Sequence, residues 1–456
     1  MNPFHLLIEL LLTAGRLRAT WYGQSALTPV GMQEWPLVAG LLVGGLPTRF
    51  TIDLRPLLDE VIAGSIEDET ALAQADELLP LRDLLTPADF IDLATLLFDL
   101  LWKEARERVD FGLEKGLPER VWSDPDRRLV RVWFATNRQP RDPANISLGF
   151  DEAKSADGLT YGCCHVFIPK SHQPGSVGSP WWRRWIRLAA DDRLELRSIE
   201  GLAHDQFWSN LADKLQSWWA PGERNLFVLI HGYNVGFTEA AIRAAQIGYD
   251  LKVPGEMAFF SWPSRGTTLQ YSADETTIEV SVSAIAHFLR EMVAKAGAER
   301  IHLFVHSMGN RGLLNALEGL VKENAPGLRL GQVFFCAPDV DVRIFKEKAP
   351  HVPQHAENCT LLISPQDRAV ALSEWLHQFD RVGVAPPVTV LPGIDTIEVR
   401  GFGLLDFGHG YFAEAAPVIE DLRTAILTKQ KASARKRLQR IEDYYGIDIR
   451  TVTPVE

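Results

Sequence analysis

The stretch Ile301 to Asn310 (IHLFVHSMGN) carries the residues with the clearest chemical potential. An apolar run leads straight into His306, Ser307, Met308 and Gly309, and a helical pattern follows from Arg311 to Leu320. A serine on such a strand-to-helix turn has its hydroxyl lifted clear of the sheet edge, the arrangement of a nucleophile elbow. Small residues flank that serine because the strand and helix backbones close on each other there. Gly309 meets the demand, whereas Val305 does not and predicts a wider or more strained turn. A lone Ser-x-Gly could equally be an ordinary helix cap; the strand before it and the helix after it favour the nucleophile.

A serine hydroxyl attacks poorly until an adjacent base takes its proton. That base is expected to be a histidine oriented by a carboxylate, in the chain order serine, acid, histidine. The histidines downstream are His351, His355, His377 and His409. His409 is favoured, because it sits in a glycine-flanked loop (DFGHGYF) just before the final helix. His377 falls inside a helical pattern, and His351 and His355 lie in a proline-containing loop before a strand. For the acid, Asp367 follows the apolar run Thr360–Ile363 and is the first choice. Asp339, in CAPDVD with Asp341, is the alternative. Upstream, LFVLIHGYNVGF (Leu226–Phe237) places a loop where one oxyanion-hole amide belongs: Tyr233 or Asn234, with Met308 as the second donor. Each such donor is worth about 3 kcal/mol of barrier. A plain turn is the competing reading of the His-Gly pair.

These residues need a sheet to position them. The runs Leu129–Ala135, Cys163–Ile168, Leu226–Ile230, Met257–Ser261, Ile301–Val305, Gln332–Cys336 and Thr360–Ile363 read as strands. Several are apolar on both faces, as parallel strands covered by helices require. Helical patterns lie between them at Thr238–Leu251, Thr276–Ala296, Arg311–Glu323 and Ala369–Phe379. The alternation predicts an α/β fold, a mostly parallel, doubly wound sheet of the α/β-hydrolase kind, over residues 121–428. Residues 1–120 read as a separate helical region. From Asp53 to Arg120 it carries 17 acidic against 7 basic residues, most simply solvated helix faces, with a protein partner as the other reading. Residues 429–456 read as a basic C-terminal helix or tail.

Taken in order, VWFATNRQP, YGCCHVFIPKSH, VLIHGYNVGF, FFSWPSRG, VHSMGN, CAPDVD, ISPQDRAVALS and GHGYF resemble the bacterial α/β-hydrolase family catalogued as domain of unknown function 900. The resemblance runs from about Leu129 to Leu427. It implies an α/β-hydrolase fold and a serine, aspartate and histidine triad. Carried over by position, these fall on Ser307, Asp367 and His409. The N-terminal 120 residues lie outside it.

Composition narrows the partners. Lys and Arg number 47 against 59 Asp and Glu, a formal charge of −12, which disfavours nucleic acid. Four cysteines make no disulfide framework and no zinc spacing, and suggest a reducing, cytoplasmic compartment. Phosphate-binding glycine motifs, HExxH and EF-hand patterns are absent, so neither cofactor nor metal is expected. The N-terminal run Phe4–Leu12 is too short to span a bilayer, so no stable membrane insertion is expected. The aromatic and basic segment WWRRWIR (Trp181–Arg187) reads as a lid or core-edge segment, or else as a patch meeting lipid. Trp262, Tyr271 and Asp274 follow the Met257–Ser261 strand and read equally as pocket walls or as residues fixing the loop. The expectation is a serine hydrolase of an ester or thioester, on a small-molecule or lipid acyl substrate. The alternative is a catalytically silent hydrolase fold used for binding or as a scaffold.

Overall fold

Runs that are apolar on both faces end up covered on both sides, and here they form the middle of one large sheet. The computed structural model describes residues 128–169, 172–175, 194–264, 271–322, 328–367, 370, 379–401 and 410–450. The N-terminal region 1–120, the WWRRWIR segment, His377 and His409 lie outside the described residues, as does nearly all of Ala369–Phe379. The elements run β1 Arg128–Thr136, β2 Arg138–Pro140, β3 Phe150–Lys154, β4 Thr160–Ile168, β5 Glu195–Leu202, α1 His204–Trp218, β6 Asn225–Ile230, α2 Phe237–Leu251, β7 Glu256–Ser261, α3 Tyr271–Glu279, α4 Val282–Lys295 and β8 Arg300–His306. They continue through α5 Gly309–Lys322, β9 Leu330–Cys336, α6 Val342–Lys348, β10 Ala356–Ile363, β11 Ile394–Arg400, α7 Tyr411–Glu414, α8 Ala416–Thr428, β12 Gln439–Arg440 and β13 Tyr445–Asp448.

Among the described residues an 11-stranded sheet has the order β12-β13-β11-β10-β9-β8-β6-β7-β1-β4-β5. The pairs from β1–β7 through β10–β11 are parallel, and β4 and β5 join antiparallel at one end. This is the mostly parallel α/β-hydrolase sheet expected. Alternate residues of each strand feed opposite cores. Leu226, Val228 and Ile230 of β6 join Ile301, Leu303 and Val305 of β8 beneath α1, α4 and α5. Phe227, Leu229 and Phe304 face the other way, beneath α2 and α8. From β6 the chain steps to β7 on one side, then crosses to β8 on the other. That reversal leaves a crevice at the carboxyl ends of β6 and β8, where open α/β sheets place their ligands.

Two expectations change. The single helix Thr276–Ala296 is two helices, because buried Ser281 donates to the Thr277 carbonyl (2.7 Å) and accepts from Asn137 Nδ2 (2.9 Å), which pins the break. The basic C-terminal helix is corrected as well. The helix ends at Thr428, Lys429 turns left-handed (φ 55°), and β13 then adds to the sheet parallel to β11. Alternation of Tyr445, Ile447 and Ile449 against the core drives this. Arg435, one of the basic residues, is buried in a 2.6 Å ion pair with Asp421 on α8.

Candidate active site

Ser307 follows β8 directly and takes a left-handed backbone, φ 50°, which a non-glycine residue adopts only when its surroundings impose it. Several bonds impose it here. The Ser307 N–H donates to the Cys336 carbonyl at the end of β9 (3.0 Å), and the Asn310 N–H donates back to the Ser307 carbonyl (3.1 Å). Buried Asn310 also spends its side-chain amide on the Val305 and Ser307 carbonyls (3.0 and 2.9 Å). Among the described residues the Met308 N–H has no backbone acceptor, while α5 begins at the next residue. An amide at a helix N-terminus is a natural donor to negative charge.

The need for small residues falls on two glycines. A Cβ on Gly309 would lie 2.5 Å from the His231 carbonyl oxygen, and one on Gly232 would lie 2.6 Å from Ser307 Cβ. The elbow and the loop after β6 therefore touch through glycine on both sides. Val305, on the other flank of the serine, is buried in the core on the α5 side.

The loop after β6 is built as a fixed object. His231 is fully buried; its Nδ1 lies 2.8 Å from the Gly232 carbonyl and its Nε2 3.1 Å from Ser261 Oγ. Burial, then the nearby Arg138 charge, push its pKa down to about 3, so the ring is neutral. Trp262 stacks on that ring (5.3 Å between centroids, 14°) and donates its indole N–H to the His231 carbonyl (2.8 Å). Ser264 Oγ donates to buried Asp274 (2.6 Å). Of the three residues weighed as pocket walls, Trp262 and Asp274 are thus fasteners of the loops, and Tyr271 is the first residue of α3. Tyr233 is half-buried; Asn234 is buried and left-handed (φ 57°).

At the neighbouring strand ends, Asp367 is buried just beyond β10, with Oδ1 accepting from the Val370 N–H (3.1 Å). Tyr411 donates to the Leu362 carbonyl (2.9 Å); burial and then the Asp367 charge push its hydroxyl well above its ordinary range. Asp339 faces buried Arg381 (3.6 Å), and Asp341 caps α6 by accepting from the Arg343 N–H (2.8 Å). Both acids after β9 are thus committed to arginines or to a cap. His351 and His355 precede β10 and so lie at the opposite edge of the sheet from Ser307. The structure thus brings Ser307, Met308 and the His231–Asn234 loop together, with Asp367 two strands away along the same edge.

Sequence reasoning passed over Arg138, Ser261 and Asn310. Arg138 is fully buried and donates to Ser261 Oγ (2.8 Å), the Val235 carbonyl (2.7 Å) and the Ser264 carbonyl (3.3 Å). Its one signal is a lone arginine directly after an apolar strand, in VWFATNR. Among the described residues no group of three or more His, Cys, Asp or Glu side chains could hold a metal, and no helix is long and apolar enough to cross a membrane.

Residues 205–427 match a family described as alpha/beta hydrolase of unknown function (DUF900). The match begins inside α1, so β1 to β5 lie before it although the motif series starts at Leu129. An uncharacterized protein of Nostoc sp. (strain PCC 7120) is 34% identical over 89 residues, 19% of this chain and 23% of that protein. The chain thus spans about a quarter of that relative's length. A solved arylesterase is similar at 10% identity and a TM-score of 0.28, covering 74% of this chain and 97% of its own.

Proposed function

We propose that this chain, whose residues 205–427 match that family, is a serine hydrolase of carboxylic esters or thioesters that works through an acyl-enzyme. The observation that carries the reading is the left-handed Ser307 at the crevice, held in a strand-to-helix turn against Gly232 of the β6 loop. Ser307 Oγ attacks the acyl carbonyl and His409 takes its proton. Negative charge collects on the carbonyl oxygen and is met by the Met308 N–H and by that of Tyr233 or Asn234. His409 then returns the proton to the leaving alcohol or thiol. Water, deprotonated by His409, releases the acid and restores the serine. Asp367 orients His409 and stabilises its charged form. Its place at the strand edge beside Tyr411, two residues after His409, supports that role.

The substrate is a small-molecule or lipid acyl compound. The hydrolase domain covers residues 121–428, continued by the strands beyond it. Four buried free thiols are compatible with a cytoplasmic setting. Labelling with a fluorophosphonate tests the chemistry: wild type is expected to label and to hydrolyse short acyl esters, while Ser307→Ala and His409→Ala do neither. A folded wild type that neither labels nor turns over an ester overturns this reading in favour of a binding or scaffold module.

A further inference from the structure

Three buried side chains at the crevice form a single line of donors that the triad does not use. Arg138 Nε lies 2.8 Å from Ser261 Oγ, Ser261 Oγ lies 3.1 Å from His231 Nε2, and His231 Nδ1 lies 2.8 Å from the Gly232 carbonyl oxygen. With the His231 ring neutral, only one arrangement of protons satisfies all three. A guanidinium donates and never accepts, so Ser261 Oγ accepts from Arg138. A carbonyl only accepts, so His231 carries its proton on Nδ1. Its Nε2 is then bare and accepts the Ser261 hydroxyl proton. The ring cannot turn away, being stacked on Trp262 and fully buried.

The end of this line is a peptide bond. In a trans peptide the C=O and the following N–H are coplanar and point in opposite directions. Drawing the Gly232 carbonyl onto the His231 ring therefore turns the Tyr233 N–H away from that ring. This peptide follows Gly232, whose missing Cβ is what lets it lie against Ser307 Cβ. We infer that Arg138, Ser261 and His231 form a positioning relay that sets the plane of the Gly232–Tyr233 peptide, and so aims the Tyr233 N–H, rather than that of Asn234, at the developing oxyanion. The other two arms of Arg138, on the Val235 and Ser264 carbonyls, hold the loops after β6 and β7 at a fixed separation while the relay acts. The inference rests on the proposed serine chemistry, and it adds to that chemistry which amide completes the oxyanion hole and what orients it.

Two measurements on the full-length chain test it. In protein labelled with 15N-histidine, the His231 resonances, assigned by their loss in His231→Gln, are expected to show a protonated Nδ1 and a bare Nε2. The Nε2 signal is expected to move in Ser261→Ala, which removes its donor. A protonated Nε2 in wild type overturns the relay whether or not the protein is active. In ester hydrolysis, Ser261→Ala is expected to lower kcat about 10- to 100-fold, short of the full loss of an oxyanion donor. KM should stay within about twofold, because the donor acts mainly in the transition state. The melting midpoint should fall by a few degrees, because Arg138 Nε loses a buried acceptor, so kcat is read well below the onset of melting. An unchanged kcat, or a loss confined to KM, overturns the inference. A wild type that hydrolyses nothing and does not label instead overturns the serine-hydrolase reading, and the nitrogen resonances still decide the proton arrangement.

Discussion

Replacing Gly309 with alanine adds one methyl group, and the structure says where it goes. The new Cβ would stand 2.5 Å from the His231 carbonyl oxygen and 3.0 Å from that of Ile230, both backbone atoms with no rotamer to yield. An ordinary carbon–oxygen contact is about 3.4 Å, so α5 and the β6 loop must separate by roughly 0.9 Å. Overpacking of this kind costs about 1–3 kcal/mol, offset by the ~0.5–1 kcal/mol that Gly→Ala returns within a helix. The expected net loss of ~1–2 kcal/mol lowers the melting midpoint by a few degrees. The catalytic effect should be larger, because the same separation pulls the loop amide away from the Met308 N–H. A misplacement of about 1 Å costs on the order of 100-fold in rate. Gly319→Ala is the matched control: it lies in the same helix and its Cβ would meet nothing within 4 Å. It should stabilise the protein and leave turnover alone. Melting midpoint, fluorophosphonate labelling rate and kcat/KM measured on both variants decide the matter. If Gly309→Ala melts higher, like Gly319→Ala, and labels at the wild-type rate, the close approach of elbow and loop has no bearing on catalysis.

Further expectations concern the acids, the pH response and the C-terminal strands. Asp367→Asn should lower kcat by up to ~10⁴-fold, whereas Asp339→Asn should mainly cost stability by leaving buried Arg381 without its carboxylate; equal kcat losses in the two would refute the assignment. His231 and His302 are both pushed from 6.5 to about 3, chiefly by burial, so the unfolded chain takes up protons first as pH falls. Stability to urea is therefore full above pH 6.5 and declines from there towards pH 3; His302→Gln should flatten part of that decline, and an unaltered slope would count against it. Arg435→Ala strands the buried Asp421 charge and should cost about 3–5 kcal/mol, most of it recovered in Arg435→Leu with Asp421→Leu. Additive losses in the double variant would show the pair to be uncoupled.

How much of this was legible in the sequence depended on what each residue answers to. Strands β6 to β10 were readable because both of their faces are buried, which makes them continuous apolar runs. Strand β5 was not, because at the sheet edge it exposes Glu200 and mixes charges into ELRSIEGL. Strand β11 hid behind polar residues with local work, such as Thr396, whose hydroxyl donates to the Thr389 carbonyl (2.8 Å). The elbow was legible for the opposite reason to β11: serine, glycine, strand and helix all lie within one short stretch. Arg138, Ser261 and His231 had no such advantage. Each stands at or just past the carboxyl end of a strand, which the sequence does suggest, but those strands are β1, β7 and β6. They become neighbours only because β7 pairs with both of the others, with Thr136 level with Ser261 and Ile230 level with Phe260. That order is set by how the crossovers pack: Arg138 and Ser261 lie 123 residues apart in the chain, and His231 and Ser261 lie 30 apart. A local pattern can nominate the nucleophile; which side chains aim the amide beside it is decided by which strand ends the sheet puts next to one another.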